Sequence, residues 1–542
     1  MVEYLIVGAG PAGLQLAYLL QRTGRDHLVL EGGPRAGTFF RTFPRHRRLI
    51  SINKLHTGTD DPELNLRMDW NSLLSDDPAL RFPNYSSRYF PDADDLTAYL
   101  EDFAVASGAR IRYDTRVVEI ARDGADGGGF VVTDQHAHVE RADRVIVATG
   151  VGTPYVPDVA GIETAENYAT VSVEPEDFVD QRVLIIGKGN SAFETAANLI
   201  EHAAVIHVAG PSSIRMAWRS HFVGHLRAVN NDFLDTYQLK SQNALLDGHV
   251  MRIVRDGPGY LVTFSFRRAN EVTKDIPYDR VIVCTGFRFD ADIFADGCRP
   301  DLVIDDRFPA LTSAWESTNV PDLYFAGTLM QARDYRVSTC GFIHGFRYGV
   351  RSLHRMLEQR YHGAAWPART LPVDPGALME AVIVRVNRTS ALWQQFGVLC
   401  DAIVVDGDGD GDGEGDGHGA GGAVGGGARY LEEVPVDYVH DSDLSGGRLV
   451  FLITLEYGEG HDAVDPFDVD VARISQSEVA NSHQGRYLHP VVRAFARGEQ
   501  VGEHHVTENL ENEWDRPTHR GPLEAFFDQR LRAIGASIGA PA

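Results

Sequence analysis

Two glycine-spaced stretches and one asparagine carry the residue types and spacings in this chain that point to chemistry. The first stretch, Gly8-Ala9-Gly10-Pro11-Ala12-Gly13, is a complete G-x-G-x-x-G. In that motif the first glycine makes a tight turn, the second lets the backbone approach a pyrophosphate, and the third lets a helix pack close to a strand. Glu31 follows the next apolar run (HLVL, 27–30), where a carboxylate accepts hydrogen bonds from ribose hydroxyls. The second stretch, Gly187-Lys188-Gly189-Asn190-Ser191-Ala192, repeats the pattern with alanine in the last position. Its following run, 205–208, leads into Ser212 and Ser213 with no carboxylate, and Arg215 lies just beyond. Hydroxyls and a guanidinium there suit the extra 2′-phosphate of NADPH, whereas an acidic residue would suit NADH. The expected ligands are therefore FAD at the first motif and NADPH at the second.

These motifs need strand–turn–helix elements to hold them, and the apolar patterning supplies both sets. Residues 2–7 (VEYLIV) read as a buried strand and 14–22 as an apolar helix, while 182–186 (RVLII) open a second unit whose helix runs to about residue 201. Strands at 144–150 (RVIVATG) and 280–286 (RVIVCTG) each end in T-G, and 323–326 (LYFA) runs into Gly327-Thr328. The fold class expected is α/β: two Rossmann-like dinucleotide-binding domains, the FAD domain interrupted by the NADPH domain, followed by a C-terminal α+β region. The expected boundaries are 1–156 and 287–362 for the FAD domain, 157–286 for the NAD(P)H domain, and 363–542 for the C-terminal region. Gly32, Arg41, Val117, Thr149, Gly150, Gly286, Gly327 and Thr328 complete the expected cofactor set. A helix beginning near Gly341 is expected to aim its N-terminus at the flavin, where negative charge accumulates on reduction.

Composition narrows the function classes. The net charge of -25 disfavours nucleic acid and anionic membrane surfaces as partners, although Asp406, Asp408, Asp410, Asp412, Glu414 and Asp416 concentrate part of it in one Gly/Asp repeat. That repeat gives 401–428 the composition of a flexible tether. Its D-x-D-x-D-G runs lack the glutamate that closes an EF-hand, since Gly417 and Gly419 stand at the closing positions, so no metal is expected. Cys284, Cys298, Cys340 and Cys400 form no C-x-x-C pair, which excludes a dithiol reductase and points to a reducing compartment. The first strand begins at Val2, leaving no room for a secretory leader, and no apolar run is long enough to span a membrane. A cytoplasmic setting is expected, and homo-oligomerisation is left open.

The stretch Leu49-Ile50-Ser51-Ile52-Asn53-Lys54 resembles the L-x-T-N-x-x-K of flavin-containing monooxygenases, which implies an Asn53 amide beside the reactive flavin edge. The F-x-G-x-x-x-H signature of those enzymes is absent: residues 159–168 read VAGIETAENY. A wider resemblance rests on Phe43-Pro44-Arg45-His46, 49–54, Asp69-Trp70-Asn71-Ser72-Leu73-Leu74, GNSAFETA (189–196), LDTYQLKS (234–241), GFIHGFRY (341–348), Tyr430-Leu431-Glu432-Glu433 and Leu488-His489-Pro490. These blocks, spread over nearly the whole chain, resemble the FAD-dependent oxidoreductase-domain family of the ER flavoprotein associated with degradation. The resemblance implies a flavoprotein oxidoreductase. The reading favoured is an NADPH-dependent, single-component flavin monooxygenase acting on a small molecule with O2. Asn53 and His344 would be catalytic residues, with Asp334, Tyr335 and Arg336 shaping the substrate site. The alternatives are a flavin dehydrogenase or reductase, and a flavin-bearing interaction protein in protein quality control.

Overall fold

Strand β1 (Val2–Val7) is buried on both faces, which suits a run that is apolar apart from the half-buried Glu3. It leads into helix α1 (Pro11–Arg22) and strand β2 (His27–Leu30). β1 lies between β2 and β3 (Val139–Val147), parallel to both, with Tyr4 opposite His27 and Arg144, and Val7 opposite Leu30 and Val147. A computed structural model describes the chain except at 125–127, 240–241, 267–269, 271, 406–426, 443, 445–448 and 539–542. Two compact units emerge. The first comprises Met1–His56, Asp69–Ala310 and Glu316–Ala332; the second comprises Thr57–Met68, Leu311–Trp315 and Arg333–Ala542.

The first unit contains both expected dinucleotide folds. Its second sheet is built on β4 (Arg182–Ile186), which is followed by helix α2 (Asn190–Leu199) and β5 (Val205–Gly210). The parallel order is β6 (Ala244–Asp247), β5, β4, β7 (Arg280–Val283), then a short edge strand, Glu166–Asn167. Alternation in β4 divides its side chains. Val183 and Ile185 pack with Phe193 and Leu199 of α2, whereas Leu184 and Ile186 pack with Tyr260, Val262 and Phe264 of an antiparallel three-stranded sheet. Strand β8 (Leu323–Phe325) returns to the first sheet alongside β3, so the first fold is interrupted by the second, as the order of motifs predicts.

The second unit gives the C-terminal region an architecture that its sequence does not disclose. Helix α3 (Ile343–His362) begins two residues later than Gly341, and it packs within this unit: the Ser352 hydroxyl donates to Glu433 O at 2.7 Å. An antiparallel sheet runs in the order β9 (Ala368–Pro372), β11 (Gly427–Pro435), β10 (Leu399–Val405), β12 (Leu449–Glu456), β13 (His489–Ala496), β14 (Glu499–His505). Helices α4 (Pro375–Arg388) and α5 (Pro517–Ile538) accompany it. The expected tether at 401–428 is corrected at both ends. Residues 401–405 belong to β10 and 427–428 to β11, and Val405 pairs with Ala428 as neighbours in one ladder. The rest of that stretch, 406–426, lies outside the described residues. Among the described residues no helix is long and apolar enough to cross a membrane.

Candidate functional site: two dinucleotide crevices

The first crevice forms where β1 gives way to α1. Gly8 has φ +107°, and a Cβ on it would meet Ala148 O at 2.9 Å; a Cβ on Gly13 would stand 1.9 Å from Gly8 O. Only glycine permits this turn and this helix approach. Gly10 differs. It is extended (φ -77°, ψ -177°), caps α1 with no side-chain hydrogen bond, and faces open space where a Cβ would stand. Pro11 occupies the first helical position, where no N–H is needed, and the first-turn amides that follow it have no acceptor within the helix. Glu31 is buried and accepts from Ala9 N at 2.7 Å, Gly33 N at 2.9 Å and the Thr38 hydroxyl at 2.9 Å, which fixes its carboxylate at the end of β2. An open cradle at an uncapped helix N-terminus, with a fixed carboxylate beside it, fits the pyrophosphate and ribose of FAD.

The remaining residues expected on the FAD side lie on several elements of the first unit. Thr149 and Gly150 (φ +66°) follow β3, and Gly327 (φ +76°) follows β8 so closely that a Cβ there would be 2.6 Å from the Ala12 Cβ. Thr328 continues the same turn, Gly32 lies against Arg116, and Val117 is buried at the start of an antiparallel strand. Arg41 is paired with Glu101 on the helix Ala93–Ser107.

The second crevice repeats the geometry. Gly187 has φ +129° and would place a Cβ 2.2 Å from Cys284 O, while Gly189 caps α2 without a side-chain bond and faces open space. The fit to a second pyrophosphate is the same as in the first. Ser191 sits in the first turn. The Asn190 side chain is committed to the loop ahead of it: it donates to His225 O at 2.9 Å and accepts from Arg227 N at 3.0 Å, so its backbone amide is what it offers a ligand. Arg227 in turn donates to Ile50 O at 2.8 Å and lies over the Trp70 ring. The second fingerprint and the Asn53 stretch are thus joined through one arginine. Ser212, Ser213 and Arg215 lie exposed just past β5.

Because β4 is flanked by β5 on one side and β7 on the other, its C-terminal edge is a topological switch point, where open α/β sheets bind ligands. A small cleft opens there, lined by Tyr155, Tyr168, Ser191, Cys284, Gly286 and Phe287. Beside it stands Glu194, which sequence reasoning missed. Burial pushes its carboxyl up to about 7, against a hydrogen bond from Tyr168 and the charge of Arg48. Burial likewise raises Tyr168 to about 12. A carboxyl that exchanges its proton near neutrality beside a cofactor crevice is equipped for proton chemistry. Its spacing four residues after Asn190, on the same helix face, was the available signal.

Asn53 is buried, and both its amide protons are spent, on Ser86 O at 2.7 Å and Arg88 O at 3.2 Å. Its Oδ1 has no partner among the described residues, so the polar atom Asn53 has to spare is an acceptor, not the donor that its motif suggests. Asp334, Tyr335, Arg336 and His344 belong to the second unit. Asp334 is buried and accepts from Cys340 N at 3.1 Å, and burial pushes its carboxyl up to about 6. Arg336 is exposed at φ +61° over the Tyr335 ring, and His344 is buried in the first turn of α3, stacked on Phe342. All four cysteines are free and buried. Burial raises every one of these thiols, Cys284 to about 12, so none offers a thiolate.

Residues 5–327 match the family described as pyridine nucleotide-disulphide oxidoreductase. The chain is 38% identical to the mouse FAD-dependent oxidoreductase domain-containing protein 2 (Mus musculus), over 98% of this chain and 84% of that protein. It is 34% identical to the indole-3-pyruvate monooxygenase YUCCA1 of rice (Oryza sativa subsp. japonica), over 37% of this chain and 45% of that one. A solved flavin-containing monooxygenase from Stenotrophomonas maltophilia matches 67% of this chain and 99% of its own at 21% identity, with a TM-score of 0.50, a likeness of fold.

Proposed function

Given that the chain belongs to the pyridine nucleotide-disulphide oxidoreductase family, alongside FAD-dependent oxidoreductase domain-containing protein 2, and is thereby an oxidoreductase that binds FAD and NAD(P)H, we propose that it is an NADPH-dependent monooxygenase of small molecules. The observation that carries this reading is the burial and separation of the cysteines in a family named for disulphide chemistry: no thiol pair is available to accept electrons. The partial likeness to a plant monooxygenase supports the same direction. Bound FAD supplies hydride acceptance and oxygen activation. The residues of the chain supply the rest. Gly8–Gly13 and Glu31 hold one dinucleotide, and Gly187–Ala192 with Ser212, Ser213 and Arg215 hold the other. Glu194 and Tyr168 hold or move a proton at the switch-point cleft. Asn53 ties down the 86–89 segment, to which its own N–H also donates, at Tyr89 O (2.9 Å). The acceptor of oxygen is a nitrogen, a sulfur or an activated carbon.

The missing F-x-G-x-x-x-H signature favours a second reading, a dehydrogenase or reductase that releases peroxide instead of oxygenating. Mixing the NADPH-reduced protein with O2 and measuring peroxide separates the two, with full release as peroxide across a panel of amines and sulfides counting against oxygenation. Asn53→Ala tests the site within the same assay. It leaves the buried Ser86 carbonyl without its donor, at a cost of about 1–3 kcal/mol, releases the half-buried Arg88 carbonyl, and loosens the 86–89 segment. NADPH consumption is expected to stay within about twofold while the fraction diverted to peroxide rises severalfold, as when a preorganised polar contact is lost. Unchanged coupling would return Asn53 to a purely structural part.

A further inference from the structure

Lys188 stands between the first two glycines of the second fingerprint. Its stem crosses the end of β5 so closely that a Cβ on Gly210 would lie 3.4–3.6 Å from its Cγ, Cδ and Cε. Its side chain is only 8% exposed, and the ammonium donates to Ser212 O at 3.0 Å and to the Asp247 carboxylate at 2.5 Å. Gly210 and Asp247 are register partners in β5 and β6, so this ion pair sits directly across the strand end where the adenosine ribose of a Rossmann ligand rests.

The first domain shows the same crevice with the opposite charge. There the carboxylate past β2, Glu31, reaches back to the backbone N–H of Ala9, the residue between the first two glycines. In the second domain the corresponding residue, Lys188, reaches forward past β5. A carboxylate at this place accepts hydrogen bonds from free 2′- and 3′-hydroxyls. An ammonium requires an anion, and the 2′-phosphate is the one group by which the two nicotinamide coenzymes differ. Asp247, at 29% exposed, is less enclosed than Lys188.

Building on the NADPH reading, we propose that Lys188 is the coenzyme-selecting residue, its ammonium passing from Asp247 to the 2′-phosphate while it keeps Ser212 O. Asp247 holds the lysine in place when no coenzyme is bound, and it disfavours the phosphate wherever the lysine is missing.

Calorimetric titration of the FAD-loaded protein with adenosine 2′,5′-bisphosphate and with AMP tests this without turnover. The wild type is expected to prefer the bisphosphate. Lys188→Met should cut that preference by about ten- to a hundredfold, the loss expected of a charge-assisted phosphate contact, with AMP affinity changed less than about twofold. Lys188→Arg should keep most of the preference. Asp247→Asn should raise bisphosphate affinity by about two- to tenfold through loss of a nearby like charge, and this variant decides the matter should Lys188→Met not fold. A bisphosphate preference that survives Lys188→Met, an equal loss of both nucleotides, or weakened bisphosphate binding in Asp247→Asn overturns the role of Lys188 and leaves the NADPH reading standing. A wild type that prefers AMP overturns both.

Discussion

Gly10→Val is expected to give a folded protein without colour. The backbone at residue 10 is extended in a region open to any amino acid, and the added Cβ would meet no protein atom within 4 Å. The fold therefore loses little. What the valine occupies is the cradle before the uncapped N-terminus of α1, where a pyrophosphate has to come within hydrogen-bond distance of the amides. Flavin bound per chain should fall below about a tenth of wild type, a loss of the anion site rather than a weakening of it. Melting should match that of wild type stripped of its flavin. Gly13→Val is the contrasting control, because its Cβ would collide with Gly8 O at 1.9 Å, and it should lower the yield of folded chain itself. A yellow, fully loaded Gly10→Val protein would show that the first crevice is not where FAD binds.

Arg385→Met is expected to cost the second unit about 3–5 kcal/mol, the range seen when one partner of an interior ion cluster is removed. Arg385 is 8% exposed and reaches Asp401 at 2.9 Å, Glu63 at 2.5 Å and Glu433 at 3.4 Å. Asp401, wholly buried, also accepts from the Tyr430 hydroxyl and from Glu433 N, and Glu433 is held by Arg351 and by Arg355 as well. The methionine would keep the volume and strand the carboxylates. Burial alone would raise Glu433, but the three guanidinium groups outweigh it and hold the carboxyl down to about 2. Since that lies below the ordinary value of 4.5, the stabilisation from Glu433 is complete above about pH 4.5 and is lost as pH falls toward 2. Calorimetric melting of the full chain at neutral pH and at successively lower pH checks both points. A loss under about 1 kcal/mol, or acid sensitivity unchanged by the substitution, would mean the cluster contributes little.

The parts of this fold legible in the sequence are those fixed locally. The runs VEYLIV and RVLII are apolar apart from Glu3 and Arg182 because their strands are buried on both faces, and the turns after them need glycine for steric reasons that act within a few residues. The C-terminal sheet hides for the opposite reason. β14, EQVGEHH, is an edge strand with little apolar pattern, and β10 carries Asp401 in its interior, tolerable only because Arg385 reaches it from α4. A tether drawn from composition accordingly ran into both flanking strands. In the site, glycines and Glu31 could be read from spacing, whereas hydrogen-bond direction could not. Asn53 turns out to donate to a neighbouring loop, and Asn190 to organise the path to Arg227, because both partners are distant in sequence. Glu194 escaped because its acidity depends on burial.

The enclosed thiols limit how much reducing power the molecule can store. A protein that pairs a flavin with a redox-active dithiol can be charged twice before it must discharge. Here all four cysteine thiols are buried and none is joined in a disulfide, so the flavin is the whole reservoir. An anaerobic titration should end at one NADPH per flavin, and thiol-alkylating reagents should leave that endpoint unmoved. Each hydride taken in must be spent before the next is accepted, and it passes from the flavin to the electron acceptor with no cysteine relay between them.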